Sequence, residues 1–228
     1  MPALAAAIAT AGGIGADPLR PPWVPEGDVL LHLDHENSRY WMPGVGVVEA
    51  WTDLPGATGD IDQPGVDTAL MDITASGANI DLSNGLTGVW RGIAKLPAAA
   101  RFWEVAQGSN VGGTLLGTFA ATAGTGRLVC RTGENSSQMS MDTGSSVDDR
   151  DMAVATSFGS AGRVIGADTG QSLSEALTFS TSVQDVLSLL AQSNDNSPMT
   201  GATLKTFTIY GSERTAAECV TLAQEAMT

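Results

Sequence analysis

The chain has 228 residues, 27 of them glycine, and 11 Lys and Arg stand against 25 Asp and Glu for a formal net charge of −14. A chain of this length can bury one sizeable core, whereas so acidic a surface disfavours general binding to nucleic acid or to anionic membranes, which carry the same sign of charge. Two cysteines, Cys130 and Cys219, cannot build a disulfide framework, and both lie in apolar runs that read as sites for buried free thiols.

The first 27 residues differ from the rest. Apolar residues dominate at first, the first basic residue is Arg20, and Pro18, Pro21, Pro22 and Pro25 make the second part extended and stiff. A secretory signal would need an earlier positive charge, and the apolar run is too short to span a bilayer. Residues 1–27 therefore read as an arm that cannot bury Leu4, Ile8, Ile14 and Trp23 within itself. It is expected to lie on its own domain or on another subunit, and these four residues are its assembly candidates.

From Asp28 onward short runs alternate with Gly, Asn, Asp and Ser. "DVLLHLD" sets Val29, Leu31 and Leu33 at period two, and "ANIDLSNG" offers Ile80 and Leu82 before a turn. "GVWRGIAKLP", "RFWEVAQGS", a pair around "AGTG", "SQMSMDTG", "DMAVATSF", "GRVIGAD" and "ALTFST" follow as strand candidates. Many short strands with turn residues between them predict an all-β sandwich or barrel over residues 28–228, with no linker inside it. "SVQDVLSLLAQS" fits either a helix or a strand. In "LKTFTIYG", Phe207 and Ile209 share one face while Thr206, Thr208 and Tyr210 take the other. "TAAE" then predicts a capping box between Thr215 and Glu218, opening a helix with Ala216, Cys219, Val220, Ala223 and Met227 on one stripe.

The ending, with Gly201, Leu204, Phe207, Ile209, Tyr210, Thr215 and Glu218, resembles the close of concanavalin A-like lectin/glucanase domains of the laminin-G-like kind. That resemblance implies a jelly-roll sandwich of two antiparallel sheets with a short C-terminal helix. A second motif, "LHLDHENSRYWMPG", places Leu33, Asp34, Asn37, Tyr40, Trp41 and Gly44 as in the opening of structural proteins of tailed phages and phage-like particles. His35 stands where that opening has an aromatic. This resemblance implies a spike, fibre or tail appendage on a particle surface, docked to other particle proteins through the arm as a homo-oligomer. The alternative is a free lectin or carbohydrate-binding module.

Chemistry-bearing clusters are few. Lectin-fold glucanases resemble one another in an E-x-D-x-x-E run that sets carboxylates on one strand face, and the chain has none, so no enzyme activity is expected. His32 and His35 fall on opposite faces of a strand, which disfavours a metal pair. Asp60, Asp62 and Asp67, and Asp142, Asp148, Asp149 and Asp151, offer carboxylates for calcium but match no defined loop, so no cofactor is expected. For a host-surface glycan the candidates are Tyr40, Trp41 and Trp51 with Asn37 and Asp53, because sugars stack on aromatic faces and hydrogen-bond to amides and carboxylates. "YWM" reads equally as a seal on the sandwich edge. Trp90 and Trp103, inside strand runs, read as core.

Overall fold

In the computed structural model the described residues are 20–73, 84–95, 101–106, 115–120, 127–132, 137–143, 146–177, 185–191 and 198–228. They form fifteen strands and one α-helix. One sheet contains β1 (Val29–Asp34), β2 (Arg39–Met42), β3 (Gly46–Val48), β6 (Leu86–Ile93), β11 (Asp151–Gly159), β12 (Gly162–Ala167), β13 (Ser172–Glu175) and β15 (Thr203–Tyr210). The other contains β4 (Ala57–Thr58), β5 (Leu70–Asp72), β7 (Arg101–Ala106), β8 (Leu115–Ala120), β9 (Arg127–Thr132), β10 (Ser137–Asp142) and β14 (Val186–Leu189). Their spatial orders are β13-β12-β11-β6-β15-β1-β2-β3 and β10-β9-β8-β7-β14-β5-β4, and every pairing between these strands is antiparallel. The fold is an antiparallel β-sandwich, as the strand pattern predicts.

The sheets meet over an apolar core. Leu31 and Leu33 of β1, Trp90 of β6, Phe207 and Ile209 of β15, and Phe102, Trp103 and Val105 of β7 belong to one buried cluster. Trp103 sits edge-on to Phe158 with ring centroids 6.0 Å apart, and Trp90 lies 4.5 Å from Phe102, spacings at which aromatic pairs attract. Trp90 and Trp103 are thus core residues, as expected from their place inside strands. Cys130 belongs to this cluster, Cys219 to a second one, and both are free thiols. Burial raises both thiol pKa values, that of Cys219 to about 12, so neither is a thiolate near neutral pH.

The ambiguous run resolves as strand β14, because its residues sit between β5 and β7 and complete both ladders. "ALTFST" does not supply the expected strand in its described part. The edge strand β13 comes just before it, at Ser172–Glu175, while Ala176 and Leu177 lie outside any strand. The "ANIDLSNG" strand and the "AGTG" turn lie outside the described residues, as do Leu4, Ile8 and Ile14.

The helix α1 (Ala216–Ala226) lies on the outer face of the larger sheet, against β11, β12, β13 and β6. Thr215 caps it, with the reciprocal Glu218 contact complete, as predicted. Its buried stripe runs through Cys219 and Ala223, joined by Leu222, Ala226 and Met227, one step round from the expected stripe. The sheet beneath is built from small residues. Ala153 and Ala155 of β11 are fully buried there, and a methyl group on Gly166 of β12 would lie 2.7 Å from the Val220 amide nitrogen. Gly166→Val should therefore lift the helix and lower the urea-unfolding free energy by about 2 kcal/mol, in the range of overpacked cores. Unchanged stability would contradict this close approach.

Candidate functional site

The register of the larger sheet lines up residues from separate parts of the chain. Arg39, Asp34, Thr206, Arg91 and Ala153 form one row across β2, β1, β15, β6 and β11. Trp41, His32, Thr208, Val89, Ala155 and Gly166 form the next. Side chains alternate across a strand, so both rows face outward while Leu31, Leu33, Trp90, Phe207 and Ile209 face the core. Along each row the side chains pass from small ones under α1 to polar and aromatic ones at the β1–β2 side. The helix covers the small end and leaves the other end as a groove.

This groove has a volume of about 490 Å³. Its floor is His32, Asp34, Val89, Arg91, Thr206, Thr208 and Tyr210. One wall is the end of α1, with Leu222, Glu225, Ala226 and Thr228. The other is formed by Trp23 and Pro25, with Glu36, Asn37 and Arg39 from the β1–β2 connection. The described end of the N-terminal segment thus lies on its own sheet. Val24 is buried in the outer cluster with Trp41 and Tyr210, and Trp23 packs against that cluster.

Asp34 organises the wall. Its carboxylate accepts from Asn37 Nδ2 at 2.9 Å and 3.1 Å and from Arg39 Nε at 2.6 Å, and Arg39 Nη2 lies 2.5 Å away. The Arg39 guanidinium carbon lies 4.4 Å from the Trp23 ring centroid, a cation–π distance. Trp23 in turn lies 5.5 Å from the His32 ring. His32 Nδ1 and Thr208 Oγ1 are hydrogen-bonded at 2.8 Å. Tyr210 is held to a neutral hydroxyl, because burial pushes its pKa up to about 12.

The sequence-predicted glycan residues do not assemble as expected. Tyr40 and Trp51 are buried in the inter-sheet core, at 4% and 5% exposure. Tyr40 bonds through its hydroxyl to His35 Nδ1 at 2.8 Å, and Trp51 Nε1 donates to Thr58 O at 2.9 Å. Trp41 lies under the outer face at 2% exposure. None of the three offers a ring face to a ligand: β-strand alternation sends Tyr40 into the inter-sheet core and Trp41 into the outer cluster, and Trp51 is buried in the core from its 3-10 turn. Asn37 lines the groove, whereas Asp53 is exposed on a 3-10 turn and does not. Trp23, singled out for assembly, is the tryptophan that lines the groove.

Among the described residues no three His, Cys, Asp or Glu side chains come together as metal ligands. Asp60 accepts from the Asp62 amide and from Gln63 Nε2, both at 2.9 Å, and these bonds lower its pKa. Asp62 pairs with His35, Asp149 with Lys95, and Asp151 with Lys205.

Neither a family model nor a curated protein matches the chain. Solved structures match its fold. The CBM40 module of Ruminococcus gnavus IT-sialidase, bound to α2,6-sialyllactose, is 11% identical over 75% of this chain and 95% of its own, with a TM-score of 0.51. Trypanosoma rangeli sialidase in complex with sialic acid is 13% identical over 90% of this chain, with a TM-score of 0.58. A leech intramolecular trans-sialidase is 12% identical over 88% of this chain, with a TM-score of 0.55. This chain covers 34% and 28% of those two enzymes, about a third of each or less. At such identities the likeness is one of fold.

His32 gives the site a pH signature. Burial, opposed by Asp34 and reinforced by Arg39 and Arg20, lowers its pKa from 6.5 to about 4. Between those values the unfolded chain binds a proton that the folded one refuses. Stability therefore falls as pH drops through this window and levels off below it, by about 3 kcal/mol in all. His32→Gln should remove that part of the pH dependence in urea titrations spanning the window. Parallel profiles for wild type and variant would contradict the burial of a neutral imidazole.

Proposed function

We propose that this chain is a lectin-like carbohydrate-binding domain and that its ligand occupies the outer-face groove. The observation that carries the reading is the groove itself, with a rigid sheet floor and a mixed lining. Thr206, Thr208, Tyr210 and Asn37 supply hydroxyls and an amide, Arg39 and Arg91 supply charge, and Trp23 supplies an aromatic surface. Sugars are bound by this combination, hydrogen bonds to hydroxyls beside an apolar ring, in concavities of about this size. The fold shared with a module bound to sialyllactose supports the same reading. We read the groove as a binding site, in which Asp34, its most buried carboxylate, is engaged by Arg39 and Asn37 and serves the wall.

A place on a phage-like particle, with assembly through residues 1–27, is a proposal carried by the sequence resemblance alone. The motif residues Asp34, Asn37, Tyr40 and Trp41 each have a role inside the β1–β2 hairpin.

Thr206 sits in the middle of the floor and is only part-buried, so Thr206→Tyr should fill the groove without disturbing the core. Glycans that bind the wild-type protein on an array should bind this variant roughly tenfold or more weakly in calorimetry, for about 1.4 kcal/mol of lost contact. Equal affinity, with an unchanged melting temperature, would place the sugar elsewhere.

A further inference from the structure

Building on the groove as a sugar site, we propose that its ligand carries a carboxylate, as uronic and nonulosonic acids do, and that Arg91 holds it. The two guanidinium groups of the groove differ in how they are engaged. Arg39 is spent on Asp34, through Nε at 2.6 Å and Nη2 at 2.5 Å. Arg91 lies in the same row of the sheet but has no such partner. Its Nε is buried without a hydrogen bond, and its ionic neighbour is Asp151 Oδ1 at 3.8 Å, beyond hydrogen-bond reach.

Asp151 is itself committed elsewhere. Its other oxygen, Oδ2, lies 2.7 Å from Lys205 Nζ, while Oδ1 has no hydrogen-bond partner. Two cations therefore share one carboxylate beside the groove, and this trio carries one positive charge in excess on a protein whose net charge is −14. The side chains of Arg91 and Lys205 are only 18% and 19% exposed. A part-buried guanidinium whose donors are not taken by the protein binds a ligand carboxylate by charge-assisted, forked hydrogen bonds. Glu36 and Glu225 line the walls and accept from sugar hydroxyls, so Arg91 is the groove cation left to meet the acidic group.

The test is calorimetry of the full chain with 3′-sialyllactose, a galacturonate trisaccharide, lactose, and 3′-sialyllactose with its carboxyl group reduced to the alcohol. We expect at least one of the two acidic sugars to bind. Lactose and the reduced sugar should bind roughly 10- to 100-fold more weakly, the worth of a charge-assisted hydrogen bond. Added salt should weaken the acidic ligand preferentially. Arg91→Gln should erase the preference, and Arg91→Lys should keep part of it. Equal affinity of wild type for acidic and reduced sialyllactose would overturn the carboxylate assignment while leaving the groove reading standing, and this comparison needs no variant. A preference that survives in a folded Arg91→Gln protein would overturn the role of Arg91. Binding to lactose alone would overturn the carboxylate, and binding to none of the four would overturn the inference together with the sugar reading as applied to these ligands.

Discussion

The buried carboxylate of Asp34 is the constraint from which the groove follows. A carboxylate at 6% exposure is tolerated only where donors replace its lost water, and here Asn37 and Arg39 do so. Those contacts span the 3-10 turn of the β1–β2 connection and hold Arg39 beside Asp34 on the outer face. The guanidinium then offers its face to Trp23, and Trp23 covers His32. One acidic residue thus fixes an aromatic wall contributed by a segment outside every strand. Removing it would leave Arg39 without its partner and the Trp23 wall without its support.

The same face of the sheet has two occupants, and side-chain size divides it between them. Under α1 the rows end in Ala153, Ala155 and Gly166, which let the helix backbone approach closely. Toward β1 and β2 they end in His32, Asp34, Trp41 and Arg39, too large and too polar for a helix to cover. The boundary between the two halves is where the end of α1 supplies Leu222 and Glu225 to the groove. Helix and groove are therefore one arrangement: what seals half the sheet also builds a wall for the other half.

Much of the fold is legible in the sequence, because alternation in "LLHLD", "GVWRG" and "KTFTIY" separates core from outer face residue by residue. The capping box at Thr215 and Glu218 is equally local, and it forms as written. The site is not local. Thr206 and Thr208, Val89 and Arg91, and His32 and Asp34 each read as an ordinary outward face. Only the strand order β6-β15-β1-β2 brings them into one surface, and no short-range pattern states that order. Aromatic residues near turn signals were a misleading guide for the same reason. Tyr40, Trp41 and Trp51 sit beside polar residues in sequence but are buried in space, two in the inter-sheet core and Trp41 in the outer cluster. Trp23 was hidden by its proline-rich setting, which suggested an arm and concealed its place on the sheet. A usable signal was present in the outward faces of the strands, where Arg91 is the one basic residue of its run, "GVWRGI".

The five tryptophans are built-in reporters of where a ligand sits: Trp23 lines the groove, Trp41 lies under the outer face, and Trp51, Trp90 and Trp103 are in the inter-sheet core. The most direct measurement is the indole N–H region of a nitrogen-15 correlation spectrum during titration with a glycan that binds in calorimetry. Binding in the groove predicts a large, saturable shift of the Trp23 indole, with the three core indoles stationary. Saturation with Trp23 unmoved, or with the Trp51 resonance shifting in its place, would contradict it.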